Sequence, residues 1–148
     1  MSKLVGLVSV GVFILGMLTA TGMAQSASDQ VPEKVRSTTQ MIIDDQFQAF
    51  RDRNHEQAFS YAAPTLQKIF GSTQRFIMMV KRGYGAIYDA RSWSFGRSRL
   101  KEGTVYQEVL VNGPNGKEWV ALYEVHKQPN GSWRIGGVKM VRANGTST

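Results

Sequence analysis

Cysteine is missing from all 148 residues. Its absence excludes disulfides, a thiol nucleophile and a lipid-modified cysteine, so the chain must hold together by its core alone. Histidine is scarce, with only His55 and His126. His55-Glu56 is not part of a His-Glu-x-x-His helix, and no carboxylate cluster has chelating spacing, so no metal is expected. There is no Gly-x-Ser-x-Gly elbow. The glycines of Gly83-Tyr84-Gly85 precede a strand, the wrong order for a phosphate loop or a dinucleotide fingerprint. No cofactor is expected. Internal repeats and low-complexity tracts are also lacking.

Charge is lacking at the start. Lys3 is the only charged residue before Asp29. An apolar stretch runs from Leu4 to Leu18 and gives way to Thr19-Ala20-Thr21-Gly22-Met23-Ala24. A basic tip, an apolar core and a small-x-small exit make up a secretory signal peptide, with cleavage expected after Ala24. Without a twin arginine the general secretory route is expected, and the mature protein is placed in the periplasm or outside the cell. The same uncharged run could span a bilayer if its Thr and Gly are tolerated. A membrane is therefore expected as a partner only through an uncleaved leader.

The chain carries 18 Lys and Arg against 11 Asp and Glu, a formal charge of +7. From Lys68 to Lys101 there are eight basic residues against Asp89 alone. Such a stretch suits an anionic partner or serves as a solvated face that keeps the domain soluble. Nucleic acid is not expected, because the leader exports the chain and no reader motif accompanies the basic residues.

Residues 25–36 are polar, contain Pro32, and read as a flexible lead-in. Ser37-Thr38-Thr39-Gln40 offers a capping box. Ile43, Phe47 and Phe50 follow at helical spacing, which predicts an amphipathic helix over 37–53. Shorter helices are expected at 55–62, at 64–70 opened by Pro64, and at 73–82 capped by Ser72, with Gly83 as a left-handed C-terminal cap. The period then changes to alternation. Strands are expected at 92–98, 104–111, 118–126 and 133–141, the last three separated by Asn115-Gly116 and Asn130-Gly131 turns that make antiparallel neighbours. Residues 143–148 read as a disordered tail.

Helices followed by a meander of strands predict a single α+β domain over 37–142. The third strand puts Trp119, Ala121, Tyr123 and Val125 on one face and Val120, Leu122, Glu124 and His126 on the other. Both faces carry large apolar residues, and the helices cover one of them. A homodimer through the outer sheet face is expected to cover the other. Gly83-Tyr84-Gly85-Ala86-Ile87-Tyr88, followed by Arg91, reads as a Gly-hinged aromatic connection. It is either a pocket rim for a small, anionic or aromatic ligand or a helix cap whose rings close the core.

The stretches Gln46-Phe47-Gln48-Ala49-Phe50-Arg51, Tyr61-Ala62-Ala63-Pro64 and Gln128-Pro129-Asn130-Gly131-Ser132-Trp133-Arg134-Ile135 resemble nuclear transport factor 2-like (SnoaL-like) domains. Over about 38–142, with Phe95-Gly96 and Trp119-Val120-Ala121-Leu122-Tyr123, the chain resembles a family of secreted bacterial proteins of unknown function in that superfamily. The resemblance implies N-terminal helices packed in a curved four-stranded antiparallel sheet, a cone-like, cystatin/SnoaL-like roll with a pocket at its mouth. It does not choose between binding modules and enzymes, because the superfold hosts both. The enzymes it implies carry an Asp, Glu or His in the pocket beside Tyr or Trp donors. The ligand-pocket candidates are Tyr61, Tyr84, Tyr88, Arg91, Glu108 and His126, and Asp44, Asp45 and Glu124 are further acids of that kind. Two functions stay open. The first is a non-enzymatic module binding a small ligand or a protein. The second is a SnoaL-like isomerase, cyclase or dehydratase acting on a small organic substrate.

Overall fold

A computed structural model describes residues 30–143. The predicted leader at 1–24 lies outside the described residues, as does the expected tail beyond 143. Five helices precede four strands: α1 (Glu33–Arg51), α2 (His55–Ser60), α3 (Pro64–Phe70), α4 (Thr73–Gly83), α5 (Gly85–Tyr88), β1 (Ser92–Lys101), β2 (Thr104–Asn112), β3 (Glu118–Lys127) and β4 (Trp133–Arg142). Among the described residues no helix is long and apolar enough to cross a membrane.

Helix α1 begins at Glu33, inside the segment read as a flexible lead-in. Pro32 takes the N-cap position, and Glu33 places a carboxylate in the first turn, where the helix dipole favours it. Val31 already reaches the core. The expected capping box is therefore helix interior. The hydroxyls of Ser37 and Thr38 donate back to the Lys34 carbonyl (3.1 and 2.7 Å), and that of Thr39 to the Arg36 carbonyl (3.0 Å). The apolar stripe lies where its spacing puts it, with Ile43, Phe47 and Phe50 all buried.

Helix α2 stops at Ser60, two residues short of expectation, because the chain there turns to clip the edge of β4. The Ala63 amide donates to the Ile135 carbonyl and the Ile135 amide to the Tyr61 carbonyl, each at 2.8 Å. Helix α3 spans the expected residues and closes on Gly71 at φ +73°. Ser72 caps α4 by accepting from the Arg75 amide. Gly83 is the last residue of α4 and not a left-handed cap, and Tyr84 takes the C-cap position at φ −132°. The residues read as a hinged connection form the single turn α5.

The sheet is an antiparallel meander in the order β1-β2-β3-β4. The β1–β2 hairpin turns on Glu102 and Gly103 at φ +50° and +76°. Positive φ at both central residues gives the turn twist that adjacent strands need, and Gly103 adopts it without a Cβ clash. Register shifts at Gly96-Arg97 of β1 and at Gly136 of β4 bend the two outer strands. At the first shift the fully buried Gln107 replaces lost ladder bonds. Its Nε2 donates to the carbonyls of Gly96 (3.1 Å), Arg97 (3.3 Å) and Glu108 (2.8 Å), and its Oε1 accepts from Gln40 Nε2 (3.0 Å).

The faces of β3 divide as the alternation predicts. Ala121, Tyr123 and Val125 are buried under the helices, whereas Val120, Leu122, Glu124 and His126 face outward and are half-buried. The core lies between that inner face and α1. Phe47 stacks on Trp93 (centroids 4.7 Å apart) and leans on Tyr123 (6.0 Å). Trp93 is held further by its Nε1 donating to Asp44 Oδ1 (2.8 Å) and by the Arg51 guanidinium over its ring (4.5 Å). The domain is thus α+β, with helices on one side of an open four-stranded antiparallel sheet.

Candidate functional site

A cavity of about 250 Å³ opens between the sheet and the α3–α4 pair. Helix α1 contributes Gln46 and Phe50, α3 gives Leu66 and Phe70, and α4 gives Phe76, Met79 and Val80. Tyr84, Ile87 and the strand residues Tyr123, Ile135, Gly137 and Val138 complete the wall with Ala62. The stop of α2 and the clip at Ala62–Ile135 hold α3 at the rim of the sheet and so leave the space open. A side chain at Gly137 would point toward Glu124 on the outer face, so only backbone meets the cavity there.

Three polar side chains reach this wall. Gln46 is buried and donates to the Ala58 carbonyl (3.1 Å). The Tyr84 hydroxyl donates to the Val138 carbonyl (3.0 Å). Tyr123 is fully buried, and its hydroxyl has no hydrogen-bond partner in the protein. Asn112 Oδ1 is the other such side-chain atom among the described residues, and it does not line the cavity. Burial pushes the ionisation of Tyr123 far above the ordinary phenol range, and the neighbouring Tyr84 phenol adds to the effect. Tyr123 is therefore a neutral donor at any physiological pH. Among the described residues no Asp, Glu, His, Lys or Arg lines the cavity.

An unpaired buried hydroxyl is costly, and an apolar isostere removes the cost. Tyr123→Phe is expected to raise the stability of the ligand-free protein by about 1 kcal/mol. A thermal melt checks it, and a lowered midpoint would show that the hydroxyl serves the fold.

Of the residues singled out in the sequence, Tyr84 lines the cavity and the other five lie elsewhere. The Tyr61 hydroxyl accepts from Gln57 Nε2 (3.1 Å) beside α2. Tyr88 is buried and packs against Phe50 (centroids 5.8 Å apart) without lining the cavity. Its hydroxyl pairs with His55 Nε2 (2.9 Å), and the Arg53 guanidinium lies over its ring (4.3 Å) while bonding Asp89 (2.7 Å). That group closes the end of α1, where Arg53 itself sits at φ +58°. Arg91 is exposed at the start of β1 and is held by its backbone amide on the Asn112 carbonyl. Glu108 and His126 are on the outer sheet face. Of the further acids, Asp44 holds Trp93 and Glu124 lies 3.7 Å from His126. The basic stretch 68–101 divides between α3–α4 and β1, which lie on different layers. Among the described residues no group of three metal-ligating side chains forms.

Glu108 is an ion-pair partner rather than a pocket acid. Arg97 donates to its carboxylate through Nε (3.1 Å) and Nη2 (2.9 Å) and holds its ionisation below the usual carboxylate range, against a smaller opposing effect of burial. A depressed folded-state pKa gives stabilisation that is present above the unfolded value and lost as pH falls through the folded one. Solvent screens the pair, since the Arg97 side chain is 87 % exposed, so the effect is small. Glu108→Gln is expected to lower the urea midpoint slightly at pH 7. The difference from the natural protein should vanish in acid below the folded-state pKa.

Tyr123 and Gln46 were not singled out as site residues in the sequence, although each left a signal. Tyr123 is a hydroxyl in an otherwise inward apolar row, and Gln46 interrupts the Ile43–Phe47–Phe50 stripe. Comparison with curated proteins and with solved structures gives no match. Residues 32–148 match the model of a family described as a domain of unknown function, DUF4864, and the chain belongs to that family.

Proposed function

We propose that this protein is an exported, non-enzymatic binding module that takes a small apolar ligand into the cavity between its sheet and α3–α4. One observation carries the reading: a cavity of about 250 Å³ walled almost wholly by apolar and aromatic side chains. Ligand pockets have this composition, with few polar groups fixing orientation. General acid–base chemistry needs a titratable group within reach of the substrate, and the wall supplies only phenols and an amide. That difference favours binding over the isomerase, cyclase or dehydratase alternative. It also favours a neutral ligand over an anionic one, since no cation faces the cavity. The order of elements supports kinship with the nuclear transport factor 2-like superfamily. The basic tip, apolar core and small-residue exit at 1–24 support export to the periplasm or the medium.

Organic extraction of the purified protein followed by mass spectrometry is the direct test. It should yield one dominant small molecule from the natural protein. Val138→Phe fills the cavity from β4 and should lose that molecule while remaining folded. Equal recovery from both proteins would place the ligand elsewhere.

We also propose a second copy of the chain as the occupant of the outer sheet face. Leu110, Val120 and Val141 lie side by side across β2, β3 and β4, with Leu110 49 % and Val141 53 % exposed. Four strands of nine or ten residues present a face of about 20 by 33 Å, so two copies would bury roughly 1,300 Å², at the low end for a specific interface. Light scattering should give a dimer mass for the natural protein and a monomer mass for Leu110→Lys. A monomer mass for the natural protein at all concentrations would end the proposal.

A further inference from the structure

We infer that the outward face of α3–α4 docks on an anionic lipid bilayer, with cations on the headgroup phosphates and Ile69 and Met78 dipping between them. The surface does not involve the leader, and it stands whether or not the cavity holds a ligand. Residues 64–83 carry Lys68, Arg75, Lys81 and Arg82 and no Asp or Glu. All four cations are exposed, and among the described residues none of them forms an ion pair. On α4, Arg75, Met78 and Arg82 recur at i, i+3 and i+7 and so form one outward stripe. Lys81 flanks it, with its ammonium 5.2 Å from the Tyr88 ring. A Cβ on Gly71 would lie 3.8 Å from Arg75 Nη1, so that guanidinium sits at the corner between the two helices.

Apolar side chains stand among these charges. Ile69 is 69 % exposed, the most of any large apolar residue among those described, and Met78 is 57 % exposed. Both helices wall the cavity on the side away from the sheet, α3 through Phe70 and α4 through Met79. Ile69 and Met78 immediately precede those two residues, so they flank the same wall. A face that only keeps the domain soluble needs the cations and not the apolar pair. A soluble polyanion likewise engages the cations alone. An anionic bilayer uses both, because apolar side chains enter the headgroup boundary while Lys and Arg stay on the phosphates.

Sedimentation with sucrose-loaded vesicles tests this on the full chain. Vesicles of phosphatidylcholine alone are compared with vesicles holding about 30 % phosphatidylglycerol, at about 0.1 M and about 1 M salt. Residues 1–24 are common to every variant, so the readout is the ratio of anionic to neutral binding. For the natural protein it should be about thirtyfold at the lower salt and fall toward one at the higher. Arg75→Gln with Arg82→Gln should lower it about tenfold. Arg99→Gln with Lys101→Gln on β1 removes the same net charge and should change it by less than about twofold. Ile69→Gln with Met78→Gln should weaken binding to the anionic vesicles about fivefold and leave binding to heparin unchanged. A natural ratio near one, or an equal loss from the β1 pair, overturns the inference. So does full vesicle binding by the Ile69/Met78 variant, which would mark the face as a site for soluble polyanions. All six substituted side chains are exposed, so the variants are expected to fold, and thermal melts verify this.

Discussion

Phe47→Ala is expected to destabilise the domain by about 4 kcal/mol, the largest effect of any single truncation considered. Phe47 is 1 % exposed in the C-terminal half of α1, stacked on Trp93 from β1 and leaning on Tyr123 from β3. Removing the ring takes away its buried apolar area and opens a void between the helix and the middle of the sheet. Collapse of that void is resisted from three sides. Trp93 is pinned by Asp44 and Arg51, Tyr123 sits mid-strand, and Ile43 and Phe50 fix the helix on either side. For a domain of this size the thermal midpoint should fall by about 15 °C. Phe47→Leu, which refills most of the space, should cost about 1–2 kcal/mol. Urea unfolding at constant slope checks both. A cost under about 1 kcal/mol for the alanine variant would mean that α1 does not dock through this residue.

Gln107→Leu should cost about 3 kcal/mol, although leucine suits a strand interior as well as glutamine does. Gln107 is fully buried and holds four groups together: the carbonyls of Gly96, Arg97 and Glu108, and the Gln40 amide. Gly96 and Arg97 lie in the β1 bulge and so fall outside the regular pairing with β2. Leucine keeps the volume and leaves these groups unpaired, so the cost is a desolvation cost and not a packing one. Gln40→Ala removes only one of the four contacts and should cost about 1 kcal/mol. Amide hydrogen exchange distinguishes this mechanism from general loosening. Protection should fall in β1 around the bulge more than at the β2–β3 pairing. A uniform loss across the sheet would count against the bulge as the site of the effect.

Periodicity carried the reading of the elements a long way. Ile43, Phe47 and Phe50 mark the buried side of α1, Pro64 opens α3, Ser72 caps α4, and strict alternation separates the two faces of β3. These are local properties, set by neighbours within a turn or a strand. Errors arose where a local signal had a rival. The hydroxyls of Ser37, Thr38 and Thr39 look like a cap, yet they bond back within a helix that Pro32 and Glu33 start earlier. Gly83 looks like a left-handed cap, but the chain goes straight on into another helical turn. The Glu102-Gly103 hairpin has less distinctive chemistry than the two Asn-Gly turns and was the one turn not anticipated.

The site was less legible. Five of the six pocket candidates lie away from this cavity, spread over an outer sheet face, a helix terminus and the surface. Length, order of elements and face alternation follow from the order of residues in the chain. The cavity does not, because its walls come from α1, α3, α4, β3 and β4, whose lining residues lie as far apart in the chain as Gln46 and Val138 and converge only when α2 stops short and Ala62 clips Ile135. The chain carries a tyrosine at position 123 in plain view. Only packing determines that its hydroxyl ends fully buried and without a hydrogen-bond partner in the protein.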